Sequence, residues 1–253
     1  MTRPVLTINV QGALDKFTAL ERQQEPFARA RALTNTARWC QWRLTEEMRR
    51  CLDRPTPYTQ SALYIVPAKK ADGAAMQARV KVKDQASKGN PASAYLFAEV
   101  EGGNRRAKGF ELQLQRVGVL PRGWYAVPGE SAPLDAYGNL ETATLLKILS
   151  QVQSNYARKE KQSLTARRNR NMMQQRYFAV SDVDSAQMGI KPGIWERMGG
   201  NRNSRIRPVL IFTPKQPRYS KRFRFYELAQ EWARERFPIE FEAAMQYALA
   251  TAK

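Results

Sequence analysis

Glu99 with Glu101 and Asp182 with Asp184 are the residues whose type and spacing could do chemistry, because paired carboxylates are the natural magnesium ligands of a histidine-free nuclease. Acidic pairs one residue apart are also common on strand edges and loops, where water solvates them, and that reading is preferred. The chain contains no histidine. Acid–base chemistry near neutrality, the commonest zinc sites and the usual catalytic triads all draw on imidazole. No Walker phosphate loop, dinucleotide glycine fingerprint or paired CxxC occurs, and Gly102-Gly103 and Gly199-Gly200 read as turn glycines. No catalytic residue, no metal ligand and no cofactor is therefore expected. Cys40 and Cys51, the two thiols, would stand about 16 Å apart on a shared helix, too far for a disulfide, whose Cα atoms lie within about 7 Å.

Charge is the stronger signal. The 253 residues carry 42 Lys and Arg against 23 Asp and Glu, a formal charge of +19. A balance of that sign attracts acidic partners: nucleic acid, anionic lipid or an acidic protein surface. Much of the excess lies between Arg158 and Arg176, where Arg158, Lys159, Lys161, Arg167, Arg168 and Arg170 follow one another with few apolar residues between them. Residues 154–176 read as a mobile basic arm that orders against an acidic partner. Tyr156 and Tyr177 flank the run and no aromatic lies inside it, so base stacking is poorly served.

The elements that would position these groups follow from periodicity. Pro4 to Val10 reads as a strand and Ala13 to Arg22 as a short helix. From Pro26 to Leu52, Ala30, Leu33, Ala37, Cys40, Leu44, Met48 and Cys51 recur at spacings of three and four, a helix stripe facing a core. Trp39 and Trp42 project away from that stripe among Arg31, Arg38 and Arg49. Two readings fit: another part of the chain covers the tryptophans, or Arg38, Trp39, Trp42 and Arg49 form a contact between subunits. Ala62–Ala68 and Met76–Lys83 read as a hairpin turning at Asp72-Gly73. Tyr95–Val100, Trp124–Val127, Tyr177–Val180, Gly193–Met198 and Arg207–Thr213 read as further strands, and Glu141 to about Val152 as a helix. In the closing region Phe225–Ala233 and Phe241–Ala252 carry two apolar stripes out of phase by about one residue, which places a kink or corner at Phe237-Pro238. The expected architecture is a single elaborated α+β domain over residues 1–253. Its antiparallel-rich sheet, made of the hairpin and the strands near Tyr177 and Arg207, packs on a long N-terminal helix and a kinked C-terminal helix.

Four segments in order carry a resemblance: Asp135-Ala136-Tyr137-Gly138-Asn139, Gly193-Ile194-Trp195-Glu196-Arg197, Pro208-Val209-Leu210-Ile211-Phe212 and Phe237-Pro238-Ile239-Glu240-Phe241. The set resembles minor tail proteins of the neck of tailed bacteriophages and prophages, similar to the minor tail protein Z and tail-completion group, mostly over Leu134 to Ala252. The resemblance implies a non-enzymatic virion protein that completes the tail or joins head to tail. Its implied partners are copies of itself in a ring, expected as a hexamer, and other neck and tail proteins, with contact to packaged DNA and none to membrane. Its implied place is the head–tail junction, after assembly in the bacterial cytoplasm. The chain departs from the group in its length and its basic arm. The alternative is a nucleic-acid-binding protein without sequence preference that uses the arm on phosphates.

Overall fold

A computed structural model describes residues 18–87, 89–159, 176–199 and 205–252. The expected strand Pro4–Val10 lies outside them. In chain order the main elements are α1 (Ala19–Cys51), α2 (Pro57–Gln60), β1 (Leu63–Val66), β2 (Arg79–Val82), α3 (Ala92–Glu101), α4 (Gly109–Arg116), β3 (Tyr125–Pro128), α5 (Thr142–Lys159), β4 (Tyr177–Val180), α6 (Asp182–Met188), β5 (Gly193–Met198), β6 (Arg205–Thr213) and α7 (Phe225–Ala250). The protein is α+β, with antiparallel sheets. It divides into two compact units, residues 1–103 with 220–253 and residues 104–219. Each has its own apolar core, where the sequence reading has one elaborated domain.

In the first unit α1 begins at a capping box. Thr18 Oγ1 accepts from the Glu21 amide, and Glu21 Oε2 accepts from the Thr18 amide at 2.6 Å. The helix then runs for 33 residues through Pro26, so one helix stands where the sequence suggests two. Proline costs a helix one amide hydrogen bond and clashes with the turn before it. Here packing outweighs that: Glu25 is buried beside the Arg29 guanidinium at 3.2 Å, and Ala28 and Ala32 are fully buried. Arg54 with φ at +45° and Pro55 follow the end of the helix.

The stripe read from the sequence is the core face: Leu33, Ala37, Cys40, Leu44 and Met48 are all buried. The sheet they meet is the β1–β2 hairpin, paired from Leu63 opposite Val82 to Val66 opposite Arg79. Its connection turns at Gly73, whose φ of +51° suits glycine. From the other side α7 packs along α1, in antiparallel order from Phe27 beside Tyr247 to Trp39 beside Trp232. Pro238 falls inside α7, which stays helical across it. Phe237 and Ala244 on either side are buried in the same core and hold the two halves in one helix. Residues Tyr95–Val100 are helical in α3, not extended. Ala92, Leu96 and Val100 are buried while Ala94 between them is exposed, a pattern that a helix makes and that a strand, which would turn Ala94 to the same side, does not.

The second unit holds a four-stranded antiparallel sheet in the order β3-β6-β5-β4. The strands near Tyr177 and Arg207 thus belong to a sheet separate from the hairpin, correcting the single sheet expected. Leu114 of α4 and Ile148, Leu149 and Val152 of α5 cover it, meeting Tyr177, Ile194, Leu210 and Phe212. The ends of this unit are tied together: the Arg105 amide donates to the Pro217 carbonyl at 2.9 Å, and Gln216 Nε2 to the Arg105 carbonyl at 3.2 Å. Strands β5 and β6 approach so closely at Gly193 that a Cβ there would stand 2.1 Å from the Leu210 carbonyl oxygen. Gly193→Ala must push the central strands apart and should destabilise this unit by about 1–3 kcal/mol. Chemical denaturation followed by Trp195 fluorescence checks it, and an unchanged midpoint would contradict the close approach.

Candidate interaction surface

Stepped at 100° per residue, Arg31, Arg38, Trp42 and Arg49 fall on one line along α1, within about 40° of each other and on the side away from Cys40 and Leu44. All four are exposed, and Trp42 keeps 56 % of its surface in water. An indole left that open is unusual, since burying an aromatic of this size is among the largest single gains a side chain offers. Arg49 is steadied by Glu46 at 2.5 Å and by the Gln60 side-chain oxygen at 2.9 Å.

The four residues singled out from the sequence do not stay together. Arg38, Trp42 and Arg49 share this line, but Trp39 lies about 60° round the helix from Trp42. That rotation turns it onto α7, where it is half-buried and meets Trp232 edge-to-face with ring centroids 6.4 Å apart. Two guanidiniums close the pair: Arg43 lies 4.8 Å from the Trp232 centroid and 5.4 Å from that of Trp39, and Arg236 5.6 Å from Trp39. Such contacts hold a positive charge against the negative face of the ring. The covered-by-the-chain reading therefore describes Trp39, while Trp42 is left exposed. Farther along, Arg31 lies 4.0 Å from the Tyr247 centroid.

The second unit buries two carboxylates among arginines. Glu111 is 1 % exposed and accepts from both terminal nitrogens of Arg105, from the Lys108 amide at 2.6 Å and from the Ala126 amide at 2.7 Å. Glu196 on β5 is likewise 1 % exposed and joins Arg176 to Arg207, the latter at 2.6 Å. Burial is the largest influence on either carboxyl and would raise its pKa. The hydrogen bonds and charge of the arginines, with the two amides at Glu111, together outweigh it and hold both below the ordinary value. Sequence reasoning misses both clusters. The available signal is weak: Glu196 stands among buried neighbours in Gly193–Glu196, opposite Arg207 across the strand pair.

Arg176, the last residue of the basic run, is thus anchored at the sheet. Arg158 and Lys159 belong to the last turn of α5, while Lys161, Arg167, Arg168 and Arg170 lie outside the described residues. The acidic pairs are placed apart from any common focus. Glu99 and Glu101 are two positions apart on a helix and so do not face one another. Asp182 and Asp184 occupy the first turn of α6, where the Asp184 amide donates to the Ser181 hydroxyl at 3.1 Å and its carboxylate accepts from that hydroxyl at 2.9 Å. Among the described residues no three Cys, Asp or Glu side chains gather as a metal site would need. Both thiols are free, and burial pushes that of Cys40 up to about 11, away from reactive thiolate. No described helix is long and apolar enough to cross a membrane. No protein family, curated protein or solved structure matches the chain.

The depressed carboxyls fix a direction for pH. A group whose folded pKa lies below its unfolded one stabilises fully above the unfolded value, about 4.3 for Glu, and loses that contribution as pH falls through the folded value. The melting temperature should therefore drop as pH is lowered from about 5 to about 3. Glu196→Gln should cost roughly 1–3 kcal/mol at neutral pH and make the acid limb shallower. Calorimetry across that range checks both, and an unaltered acid limb would remove Glu196 from the account.

Proposed function

We propose that the chain is a structural subunit of the head–tail junction of a tailed bacteriophage, acting without catalysis in a ring of copies that completes the tail or joins it to the head. The observation that carries the reading is Trp42, left open on an arginine line of the longest helix while two other sides of that helix are packed against the hairpin and α7. Trp and Arg are the side chains that dominate binding energy at protein contacts. The four resemblance segments occupy positions that suit a scaffold. Asp135 Oδ1 accepts from the Tyr137 and Asn139 amides in the turn before α5. Two segments form the adjacent strands β5 and β6, and the fourth lies within α7. Glu111 and Glu196 are clamped by arginines, and Asp184 bonds with the Ser181 hydroxyl at a helix start. Hexameric count, neighbouring neck and tail proteins, contact with packaged DNA and position in the virion belong to the same proposal.

Trp42→Ala should leave the folding stability within about 0.5 kcal/mol of wild type, as for a surface change, and should lower incorporation into particles severalfold. Electron microscopy of intact particles gives the direct test: density for the subunit as a ring at one vertex is expected, and its absence from particles would end the reading.

The alternative, nucleic-acid binding by the basic arm, is favoured by the charge of +19. It forecasts a distinct salt dependence. Changing Arg167, Arg168 and Arg170 together to Ala should reduce the slope of log affinity for duplex DNA against log salt by about 0.9 for each phosphate that is no longer neutralised. In the structural reading that slope stays as in wild type, and the triple variant is poor at completing particles.

A further inference from the structure

We infer that copies of this chain join by laying the arginine line of α1 against an acidic line on α7 of the next copy. The inference rests on the ring reading and names its contact. On α7, Glu231, Glu235 and Glu242 are exposed and fall within about 40° of one another at 100° per residue. They lie on the side opposite Ala233, Phe237, Ala244 and Ala248, which are buried in the first unit's core. Ile239, 56 % exposed, stands at the edge of the line.

The carboxylates nearby already have partners. Glu227 pairs with Lys221, and Glu240 accepts from Arg236 at 2.7 Å and from Asn35 at 3.2 Å. Among the described residues, Glu231, Glu235, Glu242 and, on α1, Arg38 hold no ion pair. A chain with 23 acidic residues against 42 basic ones thus leaves three open carboxylates along one helix face. Their spacing fits the other line. Arg31 to Arg38 and Glu235 to Glu242 are each seven residues, two turns, or about 10.5 Å. An exposed aliphatic side chain accompanies the acids and an exposed indole the arginines, so each line offers charge with an apolar neighbour.

The two lines are different surfaces of the same unit. A contact between them is heterologous, and repeated from copy to copy it closes a ring or extends a filament. DNA phosphate would suit the arginine line alone and would leave the acidic line and Ile239 without a role. A second copy uses both.

Two double variants test the pairing in the full-length chain. Arg31→Glu with Arg38→Glu makes both lines acidic, and Glu235→Lys with Glu242→Lys makes both basic. By light scattering at near-physiological ionic strength, wild type should self-associate and each variant should do so at least about 100-fold more weakly, because like charges are then forced together. An equimolar mixture should associate again, since the acidic α1 of one variant meets the basic α7 of the other. Circular dichroism checks that the variants fold. Should a double variant melt early, Arg38→Glu and Glu235→Lys singly carry the same test. A monomeric wild type, variants that associate as wild type does, or a mixture that stays monomeric would each overturn the pairing. So would loss of duplex DNA binding in the Arg31→Glu, Arg38→Glu variant with its association unchanged. The ring reading fails separately: particles without the subunit end it whatever happens in solution. A vertex ring that accepts both variants at normal yield overturns the pairing and leaves the ring standing.

Discussion

Everything in the first unit depends on α1 being covered from two directions by parts of the chain remote from each other in sequence. The hairpin reaches it from 12 residues past its end, and α7 from the far side of the second unit in sequence. Leu44, Cys40 and Met48 are fully buried in the core that α1 shares with both. Contacts of such long sequence separation carry a large loop-closure cost before they return any stabilisation. The second unit lowers that cost for the first. Its ends are tied at Arg105, Gln216 and Pro217, so once folded it holds the two chain ends that leave it close together and shortens the loop that joining α1 to α7 must close.

The same covering decides what is left over. A helix touched on two sides keeps part of its surface in water, and Arg31, Arg38, Trp42 and Arg49 lie along that part. Several other arginines are engaged by structure. Arg43 and Arg236 lie against the Trp39–Trp232 pair, Arg105 and Arg207 serve buried carboxylates, and Arg197 lies 4.1 Å from the Phe178 ring centroid. Buried carboxylates of this kind contribute little beyond a hydrophobic replacement, but removing one partner strands the other in a poor solvent for charge. Their effect is to fix where β4, β5 and α4 sit.

What is legible in the sequence follows the length of the pattern. Seven apolar residues recurring along Ala30 to Cys51 identify the buried face of α1, and short runs rich in β-branched and aromatic residues locate β5 and most of β6. Short patterns are ambiguous. Tyr95–Val100 is short and apolar enough to pass for a strand, and its helical turn shows only in the burial of Leu96 and Val100 with Ala94 left exposed. Pro26 and Pro238 read as breaks because the local cost of proline is certain, whereas the packing that overrides it is made by residues distant in sequence. The same limit governs Trp39 and Trp42. Both project from the core stripe, and the rotation between them matters only once α7 is known to lie on one side. The division into two units has no composition shift to announce it, since Gly102-Gly103 reads as one turn among several. Glu111 and Glu196 are invisible for a related reason: a carboxylate destined for burial is distinguished by its arginines, and those come from other elements.

The charge of +19 opposes assembly of identical copies at low salt. At about 0.15 M ionic strength the field of a charge decays over about 8 Å, less than the length of either exposed line. Beyond that distance the net charges of two copies scarcely meet. Within it the local pattern governs, and the pattern is not uniformly positive: the open carboxylates of α7 lie along one face, while the arginines of α1 lie along another. A self-association governed in this way has an optimum in salt. Too little salt lets the net repulsion act at a distance, and too much screens the contact itself. Binding to nucleic acid weakens steadily as salt rises because counterion release is its source. The shape of the salt response, peaked or monotonic, therefore separates a surface that recognises its own copy from one that recognises phosphate, without any change to the sequence.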